Sequence, residues 1–372
     1  MGTACTRTGP KDVVVAIHRD SLGVQLVDFP RLPRAQGILR LANRSEVVLG
    51  GIQDNDSLEF DARGYNLTAT ALADGQLVVA DHQRLKFYSA RGILTRIVGR
   101  GGYGPGEFSS ARDVCAQPDS TLIVVDEDGR WSHWGPDGAL RRAQSREGFV
   151  PRHGCSSQGT IMVRVPSSEG AYSLNTRLTL PYVLYALDGQ IVRPLGRLAA
   201  PEYFAQLFFE PSFALLGDGL LVAEPQRFEV RVQSLATGLV TKRWRVLGAE
   251  RPLTNAAWDS LVESTFPSNA TAEQRRKKLA RLAALGKPPA YPAFWKVLVD
   301  PRGRIWINPY FDHMHWYVIN GNGASMSLVA LPVSEAARPQ LVDFAGDLAV
   351  IRHVDDEGAA VLSFFRITES AP

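Results

Sequence analysis

The chain has 372 residues, 45% of them apolar and 21% charged, with a formal net charge of +3. That balance excludes a largely disordered chain and is ordinary for a protein that buries a sizeable core. The charge is too small to mark nucleic acid as a partner. No stretch approaches the roughly 18 consecutive apolar residues of a membrane-spanning helix.

Residues 1–44 read as an extended N-terminal segment. Cys5 follows Gly2-Thr3-Ala4, three small residues, like the tail of a bacterial lipoprotein cleavage site with Cys5 as the lipidated residue. The basic and apolar parts of a signal peptide are not present in the sequence, so lipidation at Cys5 and a chance match stay open. The other cysteines are Cys115 and Cys155. No CxxC pair occurs, which argues against a structural zinc site. Cys115 and Cys155 read as small buried hydrophobes in equivalent strands. A disulfide between them is not expected, because neighbouring first strands are expected to diverge beyond the roughly 7 Å that the bond tolerates.

From residue 45 onward one pattern recurs. "ADGQLVVAD" (73–81), "PDSTLIVVD" (118–126), "SQGTIMVRV" (157–165), "GDGLLVAE" (217–224), "PRGRIWIN" (301–308) and "AGDLAVIR" (345–352) each place a turn before an apolar strand with an expected period-two alternation. Shorter strands precede them: "LTATAL", "RDVCAQ", "RHGCSS", "SFALLG", "WKVLVD" and "LVDFAG". Most copies continue into a hairpin such as "LKFYSARGILTRIVG" (85–99), where a Gly-containing turn joins two strands. Four antiparallel strands in about 40 residues are one blade of a β-propeller. The last unit, "AAVLSFFRI" (359–367), lacks a fourth strand, and "SEVVLGGI" (45–52) is a strand without a unit. The expectation is an all-β, closed six-bladed propeller over 45–367, in which 45–52 completes the last blade and removes exposed edges.

"GRGGYGPGEF" (99–108) has five glycines and one proline. No Lys-Ser or Lys-Thr follows, as a P-loop would need, and a strand follows where a dinucleotide fingerprint needs a helix. The run reads as a tight crossover between blades 1 and 2, with glycines at positive φ and Glu107 and Phe108 as its anchors. Residues 253–290 break the repeat. "TAEQRRKKLARLAALG" (271–286) reads as a helix capped by Thr271 and Gln274 and ended by Gly286, with "NAAWDSLVESTF" (255–266) as its partner. Leu279, Leu282 and Leu285 would face the propeller. The basic face would be solvated, or dock an acidic partner, or attach to an anionic membrane.

The run 57–108, above all "GRGGYGPGEF", resembles the NHL-like, TolB-like six-bladed propellers of bacteria. "YPAFWKVLVDPRGRIWIN" (291–308) and "RDSLGVQLVDFP" (19–30) are similar to the same family. The resemblance covers most of 10–367 and implies an exported protein, periplasmic or anchored as a lipoprotein. Related propellers include binding platforms, calcium-dependent lactonases and amidating lyases with histidine-bound zinc. Neither catalytic set maps onto this chain residue by residue.

One rim carries the loops between second and third strands. The candidate ligand-binding residues there are His82, Arg84, Asp126, Asp128, Arg130, Glu224, Arg227, Asp312, His313, His315, His353 and Asp355. His, Asp and Glu on one rim are what a metal or acid–base site requires. Asp81, Asp126, Glu224 and Asn308 recur at equivalent positions, however. Recurrent polar residues of this kind hydrogen-bond loop backbone, with Arg84, Arg130 and Arg227 as their partners. Trp131, Trp134, Trp306 and Trp316 are expected between blades.

The leading expectation is a monomeric, non-catalytic module that binds a protein, peptide or carbohydrate, with no cofactor. The alternative is a metal-dependent hydrolase or lyase at the channel mouth, using calcium or zinc.

Overall fold

The structure is a computed structural model. It describes residues 12–369 apart from 52–58, 61–66, 146–149, 156–159, 165–178, 187, 189, 200–201, 205–206 and 210. Cys5 therefore lies outside the described residues.

Strands dominate, and they form a series of small antiparallel sheets. The first comprises Thr68–Ala71, Leu77–Asp81, Arg84–Tyr88 and Leu94–Val98. The second comprises Ala111–Ala116, Leu122–Asp126, Arg130–Trp134 and Leu140–Ser145, and the third Val150–Cys155, Thr160–Arg164, Thr179–Ala186 and Ile191–Ala199. The fourth holds Ser212–Leu216, Gly219–Glu224, Glu229–Ser234 and Val240–Val246. Phe294–Val299, Ile305–Pro309, His315–Ile319 and Ser325–Ala330 make the fifth, and Gln340–Ala345, Leu348–Val354 and Ala360–Glu369 begin the sixth.

Local chemistry explains the turns. In the first sheet the Asp74 carboxylate accepts from the Gln76 amide at 3.0 Å, and in the second Asp119 accepts from Thr121 at 3.0 Å. Such Asx turns reverse the chain between the first two strands. The second strands Leu77–Asp81 and Leu122–Asp126 are buried along their whole length. A strand covered on both faces reads as a continuous apolar run, which is why these segments carry so little alternation. Trp131, Trp134, Trp306 and Trp316 are buried among these packed faces.

The N-terminal residues join the outer edges. Val47–Gly50 pairs antiparallel with Ala360–Glu369, Val47 opposite Phe364, and Leu39–Leu41 continues along the same strand. Val14–Val15 pairs with Ser325–Ala330. The hairpin Ile17–Ser21/Val24–Phe29 adds to the fourth sheet, where Val24–Phe29 runs parallel to Val240–Val246. The buried Asp28 secures this edge by accepting from Arg245 Nε at 2.8 Å. Edges that would otherwise offer unpaired amides are thereby covered.

The inner strands of successive sheets lie against one another, from the sixth sheet to the first and on through the fifth. The fifth and sixth are joined by Lys296 Nζ, which donates to the Val342 carbonyl at 3.1 Å. Cys115, on the inner strand of the second sheet, is disulfide-bonded and is not simply a small hydrophobe.

The segment 99–108 is the crossover from the first sheet to the second. Glu107 accepts from Arg100 Nε and from the Gly104 amide, both at 2.8 Å, and Phe108 is buried 5.7 Å from the Trp134 ring. Gly99 has φ +81°, and a Cβ there would stand 2.5 Å from the Phe108 ring. Only glycine satisfies both the backbone angle and the contact.

The insertion forms two helices, α1 (Asn255–Ser264) and α2 (Ala272–Leu285). Thr271 and Gln274 make the expected reciprocal capping box, and Gly286 ends α2 at φ +75°. Leu282 is buried while Leu279 is exposed, so the apolar face of α2 is narrower than its leucine spacing suggests.

Candidate functional site

The recurrent rim acids close their own loops. Asp126 is buried and accepts from the Ser109 amide at 2.9 Å, the Ser110 amide at 3.1 Å, the Ser109 hydroxyl and Arg130 Nη2 at 2.8 Å. Arg130 also donates to the Gly102 carbonyl at 3.1 Å and lies under the Tyr103 ring. Asp126 thus ties the glycine-rich crossover to the hairpin loop beside it. Asp81 pairs with Lys86 Nζ at 2.7 Å, and Glu224 with Arg231 Nη1 at 3.0 Å. Those partners replace the expected Arg84 and Arg227, both of which are exposed. Arg84 stands directly opposite Asp81 in the strand pair but is exposed, and the buried Lys86, two residues along the same strand, reaches the acid instead. Asn308 Nδ2 donates to the Asp312 carbonyl at 3.1 Å. Asp128 is exposed, with its amide 3.4 Å from the Asp126 carboxylate.

The histidines are dispersed. His82, at φ +51°, has Nδ1 3.3 Å from the Ser110 hydroxyl. His315 Nδ1 lies 2.8 Å from Asp312 Oδ2, and His353 Nε2 lies 2.9 Å from the Ser363 hydroxyl. His313 is exposed, and Asp355 accepts from the Ala359 amide at 2.7 Å to close a turn. Among the described residues no three His, Cys, Asp or Glu side chains gather in metal-ligand geometry.

A different set converges. The inner strands of the second, fifth and sixth sheets each slip register near their start, between Ala111 and Asp113, Phe294 and Lys296, and Leu341 and Asp343. A bulge re-aims the side chain that follows it. The three residues so placed are Asp113, Lys296 and Asp343. Each aspartate accepts from the next amide along its strand, Asp113 from Val114 at 3.0 Å and Asp343 from Phe344 at 2.8 Å. Burial raises the Asp343 carboxyl to about 7, aided by the Asp113 charge and opposed by the backbone bond and Lys296. Burial also lowers the Lys296 ammonium, opposed by Asp343 and Asp113 and aided by Arg352. Charges from three sheets therefore share one half-buried space among the inner strands. Burial is the main perturbation of Asp343 and Lys296, and functional groups are often perturbed in this way.

An aromatic wall stands on the fifth sheet beside this space. Trp295, the bulged residue next to Lys296, is 46% exposed, and Phe311 is 52% exposed. Trp295 meets Tyr310 at 5.8 Å, Tyr310 meets Phe311 at 5.1 Å, and Arg251 lies 4.5 Å from the Phe311 ring centroid. The insertion supports the wall: Leu253, with Ala257, Trp258 and Leu261, packs against Tyr291 and Tyr310. The basic face of α2 turns partly to α1, with Arg275 2.9 Å from Glu263 and Lys278 donating to the Thr265 carbonyl at 3.0 Å. A second concavity of about 250 Å³ lies under the glycine-rich crossover, lined by Tyr103, Phe108, Arg130 and Trp131.

Sequence reasoning favoured repeated rim residues and passed over the three inner-strand charges. A signal was present: Lys296 and Asp343 each interrupt an apolar first strand, in "WKVLVD" and "LVDFAG", and Asp113 follows Arg112 in "RDVCAQ". Nothing in the linear sequence shows that the three meet.

No family model and no curated protein matches the chain. Solved structures do. A protein of Bacteroides fragilis NCTC 9343, provisionally named as exported, is 12% identical, with 92% of this chain and 100% of that chain covered and a TM-score of 0.55. A chain of the mitotic checkpoint complex is 11% identical over 89% and 94% of the two chains, with a TM-score of 0.42. The β-propeller domain of Myceliophteria thermophila Cps50 is 12% identical over 80% and 96%, with a TM-score of 0.37. The chain is an all-β protein built from consecutive small antiparallel sheets packed at their inner strands.

Proposed function

We propose that the six sheets of four or more strands form a closed six-bladed ring, latched by Val47–Gly50 on the last sheet, and that this ring is a ligand-binding module. The pairing of Val47–Gly50 with Ala360–Glu369, and the Lys296 bond to Val342, support closure. The resemblance to NHL-like, TolB-like propellers supports the same reading, as it does export to the periplasm or a lipoprotein anchor at Cys5.

Binding takes place at the mouth of the ring, where Trp295 and Phe311 offer aromatic faces and Asp113, Lys296 and Asp343 offer polar ones. The observation that carries this reading is the convergence of those three charges from three sheets. Apolar walls with a few convergent polar groups are the ordinary makeup of a binding site. The ligand class is a peptide, protein segment or carbohydrate, and the module is a monomer that performs no chemistry. Attachment to an anionic membrane through Cys5 or α2 belongs to the same proposal.

The test is a thermal-shift screen of the purified chain against peptides and oligosaccharides. A shift that Lys296→Met or Asp343→Asn abolishes, in variants that still fold, supports binding at the channel mouth. A shift indifferent to both variants overturns it. Stoichiometric calcium or zinc, lost when His82, His313 and His353 are replaced, would establish the metal-dependent hydrolase or lyase instead.

A further inference from the structure

Cys115 is disulfide-bonded, and the chain offers only Cys5 and Cys155 as partners. Cys115 lies on the inner strand of the second sheet, opposite Ile123. Cys155 ends the inner strand of the third sheet, opposite Ile161. Ile123 and Ile161 are each the second residue of their strands, Leu122–Asp126 and Thr160–Arg164, so the two cysteines stand at the same level of neighbouring sheets. These inner strands are in contact. A disulfide requires Cα atoms within about 7 Å, and these two strands bring Cα atoms within 8 Å of one another.

We propose that Cys115 and Cys155 form a disulfide that staples the second and third sheets at their inner edge. The assignment rests on strand placement and the cysteine count, since the Cys155 side chain lies outside the described residues. Forming the bond removes two electrons and two protons from the two thiols. A disulfide oxidant of the compartment accepts them and is itself reduced to two thiols. Such bonds form and persist where thiols are kept oxidised, outside the cytosol. The staple is thus an argument for export that does not depend on the resemblance or on the N-terminal residues. It also leaves Cys5 as the one cysteine outside the bond, the condition that acylation there requires.

The test uses the full chain, purified without reductant from an oxidising compartment, alkylated and digested for non-reducing mass mapping. A Cys115–Cys155 cross-linked peptide that disappears on reduction is expected, with Cys5 in no cross-link. Reductant should lower the Tm by about 5 °C, as closing a loop of this length predicts for a chain of this size. Cys155→Ser should abolish that drop, and Cys5→Ser should leave it intact. A Cys5–Cys115 peptide, or alkylation of both Cys115 and Cys155, overturns the proposal. The mapping is done on the unmodified sequence, so it decides the matter even if Cys155→Ser fails to fold.

Discussion

Asp343→Asn should stabilise the protein at alkaline pH while removing a group that the ligand needs. In the folded chain burial holds the Asp343 carboxyl near 7, against about 3.9 for an unperturbed aspartate. Below about pH 4 the residue is protonated in both states and contributes no pH dependence. Between 4 and 7 the unfolded chain releases the proton and the folded chain keeps it, so stability falls as pH rises. Three pKa units correspond to about 4 kcal/mol at most. The remaining solvent contact of this half-buried group reduces that to about 2 kcal/mol. Asparagine carries no charge at any pH, and its side-chain carbonyl still accepts from the Phe344 amide. Urea unfolding at pH 4.5 and 8.5 measures the effect. The variant should match the parent at the lower pH and exceed it by about 2 kcal/mol at the higher. Equal destabilisation at both pH values would refute the reasoning. It would mean that Asp343 is a well-paired structural carboxylate and not a desolvated group held for a ligand.

Asp126→Ala should cost about 3–5 kcal/mol, because it strands the Arg130 guanidinium and two backbone amides; Asp126→Asn should recover part of this in the same urea titration. Phe364→Ala, in the strand that receives Val47–Gly50, should cost about 3–5 kcal/mol of unfolding free energy by cavity formation. Trp295→Ala should change stability by no more than about 1 kcal/mol, since the ring is half exposed, yet should remove the ligand-induced thermal shift.

The sequence by itself determined the kind of local structure. Turn residues before apolar runs specify hairpins through Asx turns and positive-φ glycines, which act within a few residues. The same locality made the capping box of α2 and the anchoring of "GRGGYGPGEF" by Glu107 and Phe108 legible. It also allowed the pairing of 45–52 with the final strand to be anticipated, because one strand lacked a unit and one unit lacked a strand. Which arginine or lysine meets each rim acid was not legible: Lys86 and Arg231 pair with Asp81 and Glu224, while Arg84 and Arg227 are exposed. Nor could the chain order show that Cys115 is disulfide-bonded. Above all, Asp113, Lys296 and Asp343 lie far apart in sequence, and each alone looks like a polar residue with no relation to the others. Only the side-by-side packing of inner strands, with a bulge at each of the three positions, turns them into one site, because electrostatic coupling depends on distance in space.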